Sequence, residues 1–114
     1  MVPRISVVVN TLNEEENLPY ALRSVRAWAD EMVVVDMRSD DRTAEVAAEL
    51  GARVHYHERT GVMEAARNHA IGLATGEWVL LLDADEMIPR PLSLRLREIA
   101  SGDLADVVVV SRLN

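Results

Sequence analysis

Residues 78–86 read WVLLLDADE, an apolar run of strand length that ends in acidic residues. The run is nearly continuous rather than alternating, which is typical of a strand buried on both faces of a parallel sheet. Asp83 and Asp85 are two residues apart at the end of this extended segment, so we expect both side chains to face the same side. The stretch therefore predicts an α/β sheet with two carboxylates at the end of one strand.

Four further runs have strand length, the run at 53–57 being the weakest, and helix-like stretches lie between them. This β-α-β-α-β-α-β-α-β order with short connections predicts a mostly parallel sheet with helices on both faces. The predicted strands are Ile5–Val9, Met32–Val35, Arg53–His57, Trp78–Leu82 and Asp106–Val110. The predicted helices are Leu18–Ala29, Thr43–Leu50, Val62–Ala74 and Pro91–Ala100.

Length, charge and composition limit the classes of function. The 114 residues have room for a single core, so we expect one domain over residues 1–114. The net charge of −7 argues against a nucleic-acid backbone as the main partner, because phosphates need a basic stripe. It leaves open a nucleotide that a divalent cation bridges to carboxylates. The absence of cysteine excludes disulfides, thiolate metal sites and cysteine nucleophiles.

The two ends of the chain carry expectations about location and assembly. The amino-terminal residues run directly into the first predicted strand, unlike a signal peptide, and no apolar run approaches the roughly 20 residues of a membrane-spanning helix. We therefore expect a cytoplasmic protein without a transmembrane segment, with peripheral contact to the inner membrane face as an option. The chain stops soon after its last predicted strand, which indicates either a longer parent protein or a second copy covering the open sheet edge.

Polar and acidic residues follow three of the predicted strands. Asn10–Glu16 follow the first, Asp36 ends the second, and Asp83–Glu86 follow the strand at 78–82. Ligands of open α/β sheets bind outside the carboxyl ends of the strands, so these residues are expected to converge. Two carboxylates about 6 Å apart repel by roughly 3 kcal/mol at an effective dielectric near 20, which a proton, an arginine or a cation relieves. Mg²⁺ and Mn²⁺ suit such oxygen ligands, often together with substrate phosphates.

These candidates also have purely structural alternatives. The acids at 83–86 could cap the turn before Pro89. Asp36 could accept hydrogen bonds from a nucleobase or ribose, or could satisfy loop amides where its strand ends. Arg67 lies in a predicted helix, from which it could reach a phosphate or a strand-end acid, or point into solvent. The spacing alone does not choose between these alternatives.

Other polar residues fit a structural role better than a ligand contact. Asp40 and Asp41 are suited to cap the helix that follows them, and at least two of the glutamates at 14–16 suit the helix dipole. No third ligand can be placed for a metal site at His55 and His57, so these two are expected to be structural. The chain has no Gly-rich dinucleotide loop, P-loop or nucleophile elbow.

Three segments in this order resemble the family 2 glycosyltransferases of the GT-A fold, and together they span nearly the whole chain. The segments are Ser6–Leu18 (SVVVNTLNEEENL), Met32–Ala47 (MVVVDMRSDDRTAEVA) and Ala65–Glu86 (AARNHAIGLATGEWVLLLDADE). The last segment looks closest to the branch that includes bacterial lipopolysaccharide-core β-glucosyltransferases. The resemblance implies a GT-A (Rossmann-like) sheet that this chain holds incompletely.

By this resemblance the chain is the donor-binding part of an inverting glycosyltransferase. Such an enzyme moves a sugar from a UDP- or GDP-type nucleoside diphosphate to an acceptor hydroxyl, here on a glycolipid or polysaccharide. Asp36 would bind the base, Asp83 the ribose or diphosphate region, and Asp85 would coordinate Mg²⁺ or Mn²⁺ between the phosphates. The residues that the resemblance assigns to the nucleotide-sugar and metal sites are Asn10, Thr11, Leu12, Glu14, Asp36, Arg67, Asp83, Ala84 and Asp85.

The chain departs from the family pattern at several positions. Asn10 and Leu12 stand where the family usually has a proline and an aromatic residue, and Met37 and Arg38 stand in a loop that is usually small. Arg42 replaces a common glycine. The family's general base lies in a later half, and no residue of this chain takes that role. The alternatives are a non-catalytic nucleotide- or sugar-binding module and a nucleotidyltransferase, which would need a Gly-rich Arg/Lys loop after the first strand.

Overall fold

A computed structural model describes residues 4–59 and 63–102, with the backbone alone at 63–67. Over these residues strands and helices alternate strictly, as predicted. The strands are β1 (Ile5–Thr11), β2 (Glu31–Asp36), β3 (Arg53–Tyr56) and β4 (Trp78–Asp83). The helices are α1 (Leu18–Arg26), α2 (Thr43–Glu49), α3 (Met63–Leu73) and α4 (Arg90–Gly102). The strand predicted at Asp106–Val110 lies outside the described residues.

The four strands are parallel and lie in the order β3-β2-β1-β4. β1, β2 and β3 are added outward in one direction, and the chain then returns to place β4 on the other side of β1. The connections between parallel strands are right-handed. For that reason α1 and α2, which precede the return, lie on one face of the sheet, and α3, which makes the return, lies on the other face. The strand order thus reverses between β1 and β4, the position at which open α/β sheets bind ligands.

Apolar layers cover both faces of the sheet, which confirms the predicted α/β architecture. The larger cluster joins β1, β2 and β4 to α1, α2 and α4, and the smaller cluster joins the same strands to α3. In α1 the apolar residues recur at helical spacing, so one face of the helix is buried. Those buried α1 residues are Leu18, Ala21, Leu22 and Val25.

Burial differs between the central strands and β4. β1 and β2 are buried on both faces along almost their whole length, as their continuous apolar runs predict. β4 is only half-buried, and Leu81 is 46 % exposed. The prediction of full burial for this run is wrong over the described residues, because β4 pairs with β1 on one side and forms an edge of the sheet.

Two differences in element bounds affect the interpretation of the site. β1 continues through Asn10 and Thr11, which were expected in the following loop, and β4 continues through Asp83. α1 ends at Arg26, three residues earlier than expected, whereas α2 stops before Gly51 as predicted. Gly51 has a φ of 95°, a conformation that a residue without Cβ adopts without strain.

Among the described helices, none is long and apolar enough to cross a membrane.

Candidate functional site

Polar residues from three strands occupy neighbouring positions at the carboxyl edge of the sheet. In the strand register Thr11 of β1 lies beside Asp36 of β2, and Asn10 of β1 lies beside Asp83 of β4. The second pair stands at the reversal of strand order. The structure thus brings together four of the residues that the sequence singles out.

Strand alternation divides these four residues between the two faces of the sheet. Thr11 and Asp36 fall on the face covered by α1, α2 and α4, in line with the buried residues two positions earlier in each strand. Asn10 and Asp83 fall on the face covered by α3. The carboxyl edge therefore has the pair Thr11 and Asp36 on one face of the sheet and the pair Asn10 and Asp83 on the other.

The Asp36 carboxylate is enclosed by the protein. Asp36 is 1 % exposed, and its Oδ1 accepts hydrogen bonds from the Thr11 hydroxyl at 2.7 Å and the Ser39 hydroxyl at 2.6 Å. Its Oδ2 accepts the backbone N–H of Ser39 at 2.8 Å. A carboxylate offers about four acceptor positions, so a ligand could use only the remaining one on Oδ2. Most of the Asp36 carboxylate therefore has the structural role, in which it satisfies groups of the protein rather than a ligand.

Reciprocal hydrogen bonds tie the loop after β1 to the loop after β2. The backbone N–H of Asn13 donates to the Ser39 hydroxyl at 2.8 Å, and the N–H of Asp40 donates to Asn13 Oδ1 at 2.8 Å. The N–H of Glu14 donates to the Thr43 hydroxyl at 3.0 Å. Asn13 has a φ of 55°, which an asparagine tolerates better than most residues. The two loops form one connected surface.

The acids after Ser39 have different partners. Asp41 accepts the backbone N–H of Thr43 at 2.9 Å, so it holds the start of α2 as predicted. Burial would raise the pKa of Asp41, but hydrogen bonds from Thr43 and from backbone N–H groups outweigh it and lower the pKa. The prediction that Asp40 caps α2 is wrong, because its carboxylate pairs with Arg59 at 2.9 Å. That hydrogen bond and the charge of Arg59 lower the pKa of Asp40.

A turn follows β4 at the two aspartates. Asp83 is the last residue of the strand, and the N–H of Glu86 donates to Asp83 O at 3.0 Å to close the turn through Ala84 and Asp85. The prediction that both aspartates lie on one extended segment is wrong, since the strand ends between them. Both acids are exposed, whereas Ala84 is 5 % exposed and packs in the larger apolar cluster. Ala84 therefore anchors the turn, and only its backbone can face a ligand.

The remaining predicted site residues lie around the same edge. Leu12 is 36 % exposed, and Glu14 is half-buried with its carboxylate accepting from the Asn17 side chain at 3.1 Å. Arg67 lies in the first half of α3, and its side chain is outside the described atoms. Since β4 follows α3 and begins at the amino edge, α3 begins at the carboxyl edge. The backbone of Arg67 is thus on the same face as Asn10 and Asp83.

One acceptor at this edge has no hydrogen-bond partner among the described residues. Asn10 Oδ1 is buried, and no described donor reaches it. A buried carbonyl oxygen without a partner costs free energy, and a bound ligand or water that donates to it would remove that cost. Asn10 lies beside Asp83 in the register, so this acceptor is at the reversal of strand order.

Two histidines are in contact with each other after β3 and in α3. His57 and His69 have ring centroids 5.3 Å apart in a tilted contact, and His57 Nδ1 donates to Glu58 O at 2.8 Å. No group of three or more histidine, aspartate or glutamate side chains able to hold a metal occurs within the described parts of the chain. The contacts of His57 are structural in kind, whereas His55 Nε2 is buried without a hydrogen-bond partner among the described residues, so the structural role expected for His55 stays a prediction.

The residues that were not singled out as site residues from the sequence are Asn13 and Ser39, which join the loops after β1 and β2, and Arg59, which binds the loop after β2. Ser39 stands three residues after a strand-end aspartate, a spacing typical of an Asx turn and the one local signal available. Arg59 contacts residues about twenty positions earlier, so no local pattern could identify it.

Comparison with known proteins identifies the family. Residues 6–114 match the family described as glycosyl transferase family 2. An uncharacterized glycosyltransferase of Rickettsia conorii is 35 % identical over 92 residues, which are 81 % of this chain and 32 % of that protein. A TPR repeat-containing protein of Synechococcus elongatus is 43 % identical over 83 residues, 73 % of this chain and 21 % of that protein. The chain belongs to glycosyltransferase family 2.

A solved structure with this architecture is glucosyl-3-phosphoglycerate synthase from Mycobacterium tuberculosis in complex with Mn²⁺, UDP and glucosyl-3-phosphoglycerate. The two superpose with a TM-score of 0.67 at 31 % identity, over 79 % of this chain and 36 % of that enzyme. The GT-A fold implied by the sequence is confirmed. The chain spans about one third or less of the length of these relatives.

Proposed function

We propose that this chain is the donor-binding part of an inverting glycosyltransferase and binds a UDP- or GDP-type nucleotide sugar at the carboxyl edge of its sheet. The observation that carries the proposal is the register of β1 and β4, in which Asn10 stands beside Asp83 at the reversal of strand order. Family membership supports the reaction class, and the similar M. tuberculosis enzyme is known with UDP and Mn²⁺ bound.

In this proposal the base and ribose lie against the end of β1 and the loop that follows. Asn10 supplies its buried Oδ1 to a ligand N–H or O–H, which would satisfy the orphaned acceptor. Leu12 supplies apolar surface, and Glu14 lies at the rim. Thr11 and Asp36 brace the ends of β1 and β2 through their mutual hydrogen bond, and Asp36 can reach the base only through Oδ2.

The diphosphate and the cation lie at the turn after β4. Mg²⁺ and Mn²⁺ take oxygen ligands and are commonly held by one or two carboxylates plus substrate phosphates. The exposed carboxylates of Asp83 and Asp85 fit that donor set, with Asp85 as the main ligand and Arg67 near the phosphates. A cation there would stabilise the charge of the departing diphosphate.

Sugar transfer also needs an acceptor site and a base for the acceptor hydroxyl. We place both beyond the region that this chain shares with its much longer relatives. The proposal also includes a glycolipid or polysaccharide acceptor and action in the cytoplasm or at the inner membrane face. A second copy of the chain that covers an open edge of the sheet is a further part of it. The rival is a nucleotide-binding module without catalysis, and family membership disfavours a nucleotidyltransferase.

The test is calorimetric titration of the protein with UDP and GDP, each with Mn²⁺ or with a chelator. We expect binding that depends on the metal, and we expect Asp85→Asn to weaken it by roughly 10- to 100-fold, the range for loss of a group that supports a metal. Glu98→Gln is the matched control, since Glu98 is an exposed acid on α4 that pairs with Arg95.

If neither UDP nor GDP binds at millimolar concentration, the proposal that this chain holds a donor site is wrong. Unchanged metal-dependent binding by the Asp85→Asn variant would remove Asp85 from its role while leaving the donor site in place. Binding that is indifferent to the chelator would favour a nucleotide site without a cation.

A further inference from the structure

Arg59 follows β3 and holds the loop that follows β2. Its Nε–H donates to Met37 O at 3.2 Å, and its Nη2 donates to Arg38 O at 2.8 Å and to Asp40 Oδ2 at 2.9 Å. Two of these three acceptors are backbone carbonyls. Exposed ion pairs between side chains contribute little, but a guanidinium bound to consecutive carbonyls fixes the path of the backbone.

The backbone of the β2 loop is in an unfavourable conformation at Arg38, so a contact from outside the loop is needed to hold it. Arg38 has a φ of 55°, a left-handed conformation that residues with a Cβ rarely adopt. The Arg38 side chain pairs with Glu58 at 2.9 Å. Residues 58 and 59 therefore hold the loop at both a side chain and the backbone. The hydrogen bond from Arg59 and its charge also lower the pKa of Asp40.

The loop carries Ser39, which connects it to the candidate site. The Ser39 hydroxyl and N–H both bind the Asp36 carboxylate, and the same hydroxyl accepts the N–H of Asn13. A change in the path at 37–40 would therefore move Asp36 on one side and the β1 loop on the other. The hydrogen bonds of Arg59 to described residues all go to the β2 loop, so its effect on the site passes through Ser39.

We infer that Arg59 is a positioning residue for the nucleotide site. It holds residues 37–40 in the conformation in which Ser39 orients Asp36 and the β1 loop. The inference rests on the proposed donor site for its effect on affinity, but its effect on loop order does not depend on that site.

Lysine cannot replace arginine in this role. The planar guanidinium donates from two nitrogens to acceptors spaced along the backbone, whereas an ammonium is a single point of charge. Arg59→Lys is therefore expected to keep the pairing with Asp40 and lose the simultaneous contact with the two carbonyls. The lysine variant separates the effect of charge from the effect of geometry.

The test combines nucleotide titration with hydrogen exchange on the 114-residue protein. For Arg59→Gln and Arg59→Lys we expect a roughly three- to tenfold higher Kd for UDP with Mn²⁺, and faster amide exchange at residues 38–41 without nucleotide. Arg95→Gln is the control, because Arg95 is similarly exposed and its partner among the described residues is the side chain of Glu98. This control should change neither quantity.

Unchanged exchange at 38–41 in both Arg59 variants would overturn the inference, whatever happens to the Kd. Faster exchange with an unchanged Kd would also overturn it, because the loop would then have no bearing on the site. If the unsubstituted protein binds no nucleoside diphosphate, the proposed function fails, and exchange at 38–41 alone decides whether Arg59 orders the loop.

Discussion

Gly76 lies between α3 and β4, where the chain passes close to the start of β1. A Cβ built at this glycine would lie 2.6 Å from the Ser6 hydroxyl, 2.8 Å from Ser6 N and 2.9 Å from Arg4 O. Gly76 N–H also donates to the Ser6 hydroxyl at 2.8 Å. Two of the three obstructing atoms belong to the backbone, so they cannot move without shifting β1.

Gly76→Ala is therefore expected to lower the free energy of unfolding by roughly 1–3 kcal/mol, the usual cost of forcing extra atoms into a packed site. Gly72→Ala is the matched control, since nothing lies within 4 Å of a Cβ at that position of α3. There alanine should be neutral or stabilise by up to about 1 kcal/mol through helix propensity. Urea unfolding of both variants checks the difference, and equal stabilities would contradict the close approach at Gly76.

Single residues also show how far sequence patterns reach. Asp36 and Asp83 could be found from sequence because each ends an apolar run, and the fold makes strand ends converge. Whether each acid is open or enclosed could not be found in that way. Asp36 is enclosed because Thr11 and Ser39 surround it, whereas Asp83 is exposed on a strand that pairs only with β1 among the described residues.

At the scale of secondary-structure elements, Glu31 joins the amino ends of the strands. It begins β2 and accepts hydrogen bonds from Ser6 of β1, from Arg53 of β3, and from Thr75 before β4. The Glu31 side chain is only 9 % exposed. Burial would raise its pKa, but the hydrogen bonds from Thr75, Arg53 and Ser6 outweigh burial and lower the pKa from 4.5 to about 2.

A carboxyl with a lowered pKa stabilises the fold above its unfolded pKa and loses that contribution as the pH falls. For Glu31 the contribution is present above pH 4.5 and is lost as the pH falls toward 2. Glu31→Gln should lower stability at pH 7 by roughly 1–3 kcal/mol and flatten the loss of stability between pH 5 and 2.

The measurement is chemical denaturation across that pH range, with Glu98→Gln as the control on an exposed acid. A Glu31→Gln variant that keeps the full pH dependence of the unsubstituted protein would show that other carboxyls are responsible. The network also explains the polar character of the amino edge, where the charged groups hold strands together.

At the scale of the whole molecule, the amino and carboxyl edges of the sheet have different roles. The amino edge is a network around Glu31, and the carboxyl edge holds the loops that Ser39 and Asn13 connect. Ligands of open α/β sheets bind at the carboxyl edge because the loops there are free to vary while the strands fix their bases.

Saturating UDP with Mn²⁺ is therefore expected to slow amide exchange in the carboxyl-edge loops at 12–17, 37–42 and 84–88. The amino-edge loops at 27–30 and 51–52 should exchange at unchanged rates. Hydrogen exchange read by mass spectrometry checks both sets in one experiment. Protection confined to the amino edge would place the ligand elsewhere and contradict the proposed site.

The sequence by itself determined the class of fold, the order of the described elements, the family and the acids at the strand ends. These follow from local information, since burial on both faces gives continuous apolar runs and strand ends carry polar residues. The strand order β3-β2-β1-β4, the turn that separates Asp83 from Asp85, and the grip of Arg59 on the β2 loop were decided only by the tertiary structure. The strand order and the contacts of Arg59 join distant segments, and such contacts leave no periodic pattern in the sequence. The turn is closed locally, but the core packing of Ala84 that holds it also comes from distant segments.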